Sequence, residues 1–310
     1  MALYQQKRAV LDQPDPHYPP GPSPKQKKDP NRLGAYQVHQ SDAGFASIRH
    51  LDSGEIMHSH NPPMDEARGL YVEQSMLAKR LSSPAQAPLV VWDVGLGAAA
   101  NAMAAIECYE SLADTQAPRR ELHIISFEND LDSLRLAIRH NRDFPYLRHP
   151  GPAAIVAEGQ WKSSKHPGLR WTLLHGEFRE RARSKLALAP QVIFFDMFSS
   201  KTNQDEWTWQ AFQELFAACS DQAAELFTYS RSTAIRACLL ASGFFVAAGA
   251  STGNKLETTI ALTPQMLQEA DCARPLLAQE WLQKWQRSTA QYPDGLDKES
   301  QERFSAQILG

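Results

Sequence analysis

The chain has 310 residues, 43% hydrophobic and 22% charged, with a mean hydropathy of −0.44, a composition that excludes fibrous, collagen-like and wholly disordered proteins. Its 32 Lys and Arg stand against 35 Asp and Glu, a formal charge of −3, so any surface for a polyanion has to be local. Cys108, Cys219, Cys238 and Cys272 form no C-x-x-C pair and have no His at finger spacing, which argues against a zinc knuckle or a disulfide framework and for reduced thiols. The polar start, Met1 to Val10, lacks the apolar core of a signal peptide, and no apolar run is long enough to span a bilayer. The expectation is a cytoplasmic protein with no membrane contact.

Residues 1–35 carry seven prolines, few large apolar side chains and a net charge of +3, which predicts an extended basic arm, either solvated or touching phosphate. An extension over 36–85 follows. In it, Ala46–His50 and Glu55–His58 flank Leu51–Gly54 as a β-hairpin would, and Met64–Leu81 has helical spacing closed by Ser82, Ser83 and Pro84. From 86 to 263, apolar runs alternate with helix-length amphipathic segments. The runs are Leu89–Val94, Leu122–Phe127, Trp171–Leu174, Val192–Phe195, Leu226–Tyr229, Phe244–Ala248 and Thr258–Leu262, and the helical segments are roughly 98–112, 130–141, 178–188, 206–219 and 231–242. This predicts an α/β, Rossmann-like fold with a mostly parallel seven-stranded sheet and a ligand crevice at the carboxyl ends of its strands. No helix separates the last two runs, so they are expected to pair as an antiparallel edge hairpin. The tail, 264–310, reads as helical, with Trp281 and Trp285 spaced to dock it on the sheet domain.

The chemistry concentrates at the strand ends. Val91 to Asn101 reads as a strand bearing Asp93, a G-x-G turn at Gly95 and Gly97, and a helix start whose free N–H groups face a ligand. Alanine follows where a dinucleotide site has its third glycine. Glu128, followed by Asn129, ends the second run, where an acid accepts both hydroxyls of a ribose; capping the next helix is the alternative. Gly176 and Glu177 end the third run, beside an adenine-like group or at a plain helix start. Asp196 leaves four apolar residues for the crevice, an acid that needs a partner or a task there. With Phe198 it holds an amine by charge and ring contact, or else it caps the following turn. His58 and His60 lack a third ligand, so no metal is expected.

Four acids at successive strand ends, a G-x-G turn and a closing hairpin resemble the class I S-adenosylmethionine-dependent methyltransferases. More narrowly, Leu122–Glu128, Phe194–Thr208 and Phe227–Phe244, with Met57–Ser59 and Asp65–Glu73 upstream, resemble the methyltransferase domain of the MnmC family over about residues 52–262. The resemblance implies an S-adenosylmethionine-binding domain at 86–263 that methylates the amine of 5-aminomethyl-2-thiouridine at the tRNA wobble position. The flavin-dependent oxidase half of that family is expected to be absent, because the 48 residues after Leu262 cannot hold it, and a separate enzyme is then expected to supply the aminomethyl group. Asp93, Gly95, Gly97, Glu128, Asn129, Gly176 and Glu177 become the cofactor residues. Asp196 and Phe198 become the catalytic pair, with Asp196 orienting the amine and helping it shed its proton, and Glu66, Tyr71 and Lys201 lie toward the acceptor.

Three stretches depart from the family pattern: Ser199–Ser200, Arg231–Ala234, and Ser251–Glu257 where a basic tract is usual. The lost charges bear on tRNA binding more than on methyl transfer. A net +5 over 119–190, with Arg135, Arg139, Arg142, Arg179, Arg181, Arg183 and Lys185, supplies a second basic region. The rival functions are methylation of a small-molecule or peptide amine, and a module that binds S-adenosylmethionine or RNA without turnover.

Overall fold

The structure is a computed structural model that describes residues 29–85, 87–112, 120–219, 221–251, 257–269 and 274–287, with 298, 299, 302 and 308 besides. All elements named here lie in the second of two units, Met1–Pro30 and Asn31–Gly310. Residues 1–28 of the proline arm, residues 252–256 and Cys272 lie outside the described residues.

Three short strands come first: β1 (Arg32–Leu33), β2 (Tyr36–Gln40) and β3 (Ala46–His50), paired antiparallel in that order. The expected hairpin about Leu51–Gly54 is present as a short antiparallel ladder: His50 N–H donates to Glu55 O (2.8 Å), Met57 N–H donates to Ile48 O (3.0 Å), and Arg49 bridges Ile56. β3 also pairs along its length with β2, from Tyr36↔His50 to Gln40↔Ala46. The expected helix over Met64–Leu81 is broken into α1 (Pro63–Ala67), a π-helical turn (Arg68–Glu73) and α2 (Leu77–Ser82), with Met76 left-handed at φ +50°. Gln74 Nε2 donates to Leu70 O and Ser75 Oγ to Val72 O, so side chains take carbonyls that a continuous helix would use.

The main sheet contains β4 (Leu89–Val94), β5 (Leu122–Glu128), β6 (Gln160–Lys162), β7 (Leu169–His175), β8 (Val192–Phe195), β9 (Glu225–Thr228), β10 (Phe245–Gly249) and β11 (Thr258–Leu262), in the order β10-β11-β9-β8-β4-β5-β7-β6. Among the described residues it has eight strands rather than the expected seven. The additional one, β6, is a three-residue strand with a single tryptophan, too short to show alternation, and it pairs antiparallel to β7. The β10–β11 hairpin is antiparallel as expected, and β11 joins it to β9.

The helices are α3 (Ala100–Leu112), α4 (Asp132–Arg139), α5 (Pro150–Glu158), α6 (Phe178–Ala182), α7 (Trp209–Ala218), α8 (Thr233–Ala241) and α9 (Gln279–Gln286). α5 was not anticipated, although Pro150 at its first position and left-handed Gly159 at its end are ordinary boundary signals. α6 stops well short of residue 188, where the Ser184 hydroxyl accepts from Leu186 N–H and forms a turn.

Strand alternation divides the core in two. Leu89 and Val91 join one apolar cluster with residues of α1 to α5, while Val90, Trp92 and Val94 join another with α6, α7 and α8. Trp281 and Trp285 of α9 are buried in the second cluster. Because β4 lies between β5 and β8, parallel to both, the chain reverses direction of progress there and opens a crevice at the strand ends.

Candidate active site

The loops leaving β4, β5, β7 and β8 meet in one cavity of about 910 Å³, within the range of ligand sites. Gly95, at φ +89°, packs so closely on the loop after β8 that a Cβ would lie 2.7 Å from Asp196 O. Gly97, at φ +51°, would place its Cβ 3.2 Å from Met57 Sδ. Both positions need glycine for backbone conformation as well as space. Ala99 follows at φ +64°, a strained turn into α3.

Glu128 organises this turn. Its Oε2 accepts from Gly97 N–H at 3.0 Å, and its Oε1 from the N–H groups of Asn129 (3.0 Å) and Asp130 (3.1 Å). Burial raises its pKa against those three hydrogen bonds. Asn129 Nδ2 in turn donates to Glu177 Oε1 at 3.0 Å. Gly95, Gly97, Glu128, Asn129, Gly176 and Glu177 therefore line a single wall.

Asp196 and Phe198 line the same cavity with Glu66. Asp196 Oδ2 accepts from Asn101 Nδ2 at 2.8 Å. Burial raises the Asp196 carboxyl, while His58, Asn101 and Tyr71 work in the other direction. Phe198 is fixed through its carbonyl, which accepts from Trp207 Nε1 at 2.8 Å, and its ring lies 5.5 Å from that of His50.

Three expected site residues do not line the cavity. Asp93 lies inside β4 opposite Ser126 of β5, accepts from Ser126 Oγ at 2.7 Å, and is shut from solvent. Trp171 Nε1 donates to the same hydroxyl. Burial pushes the Asp93 carboxyl up to about 7, and the chain Trp171–Ser126–Asp93 braces the sheet beneath the glycine turn. Tyr71 is buried in the π-helical turn with its ring 5.1 Å from that of Phe194. Lys201 stands exposed on a turn, while its neighbour Thr202 lines the cavity.

Other residues emerge only in three dimensions. Asn101, in the first turn of α3, contacts Asp196, and its place four residues after Gly97 was the available signal. Glu55 accepts from Ser199 N–H (2.8 Å), Ser199 Oγ (3.0 Å) and Thr202 Oγ1 (2.7 Å), tying the N-terminal segment over the loop after β8. This contact spans 144 residues of sequence, so no local pattern announces it. His58 lines the cavity too, with Nδ1 3.1 Å from Glu66 Oε2. Glu206, on the same lining, is pushed up to about 7 by burial. Among the described residues the lining contains eight carboxylates (Glu55, Glu66, Glu128, Asp130, Glu177, Asp196, Asp205 and Glu206) and no Lys or Arg, an environment that favours cationic groups.

Residues 157–264 match the family model described as S-adenosyl-L-methionine-dependent methyltransferase. The chain is 26% identical over 242 residues to the tRNA 5-methylaminomethyl-2-thiouridine biosynthesis bifunctional protein MnmC of Pseudomonas putida, covering 74% of this chain and 35% of that protein. The MnmC of Aeromonas salmonicida is also 26% identical, over 216 residues, covering 62% of this chain and 30% of that one. The chain thus spans about a third of the length of these curated relatives. Among solved structures, MnmC2 from Aquifex aeolicus has the same fold, with a TM-score of 0.62, 21% identity, and coverage of 91% of this chain and 86% of that one. With its sheet order and its glycine turn, the chain has a Rossmann-like fold, and it is similar over residues 157–264 to the S-adenosyl-L-methionine-dependent methyltransferase family and over most of its length to MnmC.

Proposed function

We propose that the chain methylates the primary amine of 5-aminomethyl-2-thiouridine at the wobble position of tRNA, a step that would form the 5-methylaminomethyl-2-thiouridine for whose biosynthesis its MnmC relatives are named. The observation that carries the reading is the meeting of the Gly95–Gly97 turn, Glu128 and Asp196 in one acidic cavity whose described lining has no Lys or Arg. The residues fit S-adenosylmethionine: the glycine turn leaves room where a Cβ would collide, and carboxylates suit a sulfonium and a ribose. When bound, that molecule supplies an electrophilic methyl group. Gly95, Gly97, Glu128 and Asn129 would hold it, with Gly176 and Glu177 beside its base. Asp196, kept in place by Asn101, would orient the acceptor amine, and Phe198 would offer its ring to the same cation.

The absence of Lys and Arg from the described lining supports entry of the amine-bearing base alone, with the tRNA phosphates held outside on exposed residues such as Arg139, Arg142 and Arg148. The same acidic lining favours a second reading, a small-molecule or peptide amine as acceptor. Among the described residues no helix is long and apolar enough to cross a membrane, consistent with an enzyme that meets tRNA in the cytoplasm.

Mass spectrometry of tRNA nucleosides from cells lacking the chain separates the readings. Accumulation of 5-aminomethyl-2-thiouridine is expected. Unchanged wobble nucleosides would transfer weight to the small-amine reading.

A further inference from the structure

Asp196 alone is an awkward proton acceptor for an amine. A carboxylate beside an ammonium ion stabilises the charged form, which has no lone pair with which to attack, so the cavity needs a second group to carry the proton away. His58 meets the geometric requirements. It is almost entirely buried, its ring lines the cavity, and its backbone N–H donates to Ser47 Oγ at 3.0 Å, which fixes the segment on β3. Nδ1 lies 3.1 Å from Glu66 Oε2. Nε2 makes no hydrogen bond with any described residue. A neutral imidazole whose Nδ1–H donates to a carboxylate carries its lone pair on Nε2, the tautomer required of a base.

We infer that His58, held by Glu66, is the proton acceptor of the site, and that Asp196 orients the amine. The inference rests on the methyl-transfer reading. The step is a simple exchange: the acceptor ammonium gives one proton to His58 Nε2, leaving a neutral amine with its lone pair and an imidazolium facing Glu66 and Asp196. The imidazolium then returns its proton to solvent.

The surroundings favour this exchange. Burial lowers the proton affinity of His58, but the hydrogen bond and charge of Glu66 and the charge of Asp196 together raise it above the ordinary histidine value. Tyr71 and Tyr229 stand against the same carboxylates, with Glu55 also acting on Tyr229, and burial with those charges keeps both phenols protonated. Asn101 is neutral, and His60 shares the lining. Among the groups facing His58, the charges that act on it are therefore those of Glu66 and Asp196.

Two measurements test the pair. In the free protein, the His58 imidazole followed by NMR should titrate above about 6.5, the ordinary value, and Glu66→Gln should move it lower. An unmoved titration in Glu66→Gln would overturn the pairing whether or not the acceptor is known. In turnover, kcat/KM should rise with pH, Glu66→Gln should displace that limb to lower pH, and His58→Gln should cut kcat about 100-fold while leaving S-adenosylmethionine affinity within about twofold. Wild-type kcat and an unaltered pH profile in His58→Gln would overturn the inference. Absence of methyl transfer by the wild type to any amine would instead sink the functional reading, with the NMR titration still deciding whether His58 and Glu66 are coupled.

Discussion

The amide of Asn101 donates from Nδ2 to Asp196 Oδ2 at 2.8 Å, joining the first turn of α3 to the loop after β8. The two elements flank the glycine turn, so this bond ties the loop after β8 to the helix that follows that turn. Asn101 Oδ1 is buried with no hydrogen-bond partner among the described residues, which leaves the amide orientation set by Asp196. Asp196→Asn retains the size of the side chain and removes its charge. Turnover should fall about 100-fold, the scale of a positioned polar group, with cofactor affinity nearly unchanged. Calorimetry and steady-state kinetics on the same preparation check the division; a defect confined to cofactor affinity would assign Asp196 to the donor side.

Glu128 accepts three backbone N–H groups at the end of β5. Glu128→Ala should weaken S-adenosylmethionine binding by about 1.5 to 3 kcal/mol, the range for hydrogen bonds to charged groups. Titration calorimetry reads this directly, and equal affinity in the variant would remove Glu128 from the ribose.

The sequence shows the seven long strands because their apolar runs persist through two covered faces, and the glycine turn because a strand, two glycines and a helix start follow one another. Five of those strands owe their parallel arrangement to the intervening helices. β6 and α5 escape because one is too short for a period and the other is framed by prolines that read as loop. The site divides in the same way. Glu128, Glu177 and Asp196 are local features at strand ends. Asn101, Glu55 and His58 reach the cavity through contacts between distant segments, for which no spacing rule exists. Asp93 shows the converse: an acid at a strand end whose alternation turns it into the sheet, where Ser126 receives it.

Asp93 gives a stability test. Its folded-state pKa is raised from 3.8 to about 7, chiefly by burial, so the native state keeps a proton that the unfolded chain releases over that window. The stabilisation is full below the lower value and is lost as pH rises through the upper one, at no more than about 1.4 kcal/mol per pH unit for one proton. Asp93→Asn removes this dependence. Denaturant melts across the window should show the variant gaining on the wild type as pH rises; a constant difference would mean that Asp93 is ionised throughout.

If tRNA phosphates rest outside the cavity, the exposed Arg139, Arg142 and Arg148 are candidates to hold them. Replacing all three by alanine should weaken tRNA binding at low salt and flatten the logarithmic salt dependence by about 0.9 for each phosphate no longer neutralised. Filter binding over a salt series measures both. An unchanged slope would place the tRNA on another face.

The central claim is that this cavity methylates the wobble aminomethyl group. Purified protein, S-adenosylmethionine and tRNA carrying 5-aminomethyl-2-thiouridine are incubated together, and the nucleosides are resolved by mass spectrometry. The expected result is conversion to 5-methylaminomethyl-2-thiouridine, abolished when Asp196 is replaced by alanine. Recovery of the aminomethyl nucleoside unmethylated, under conditions where the protein binds S-adenosylmethionine, would contradict it.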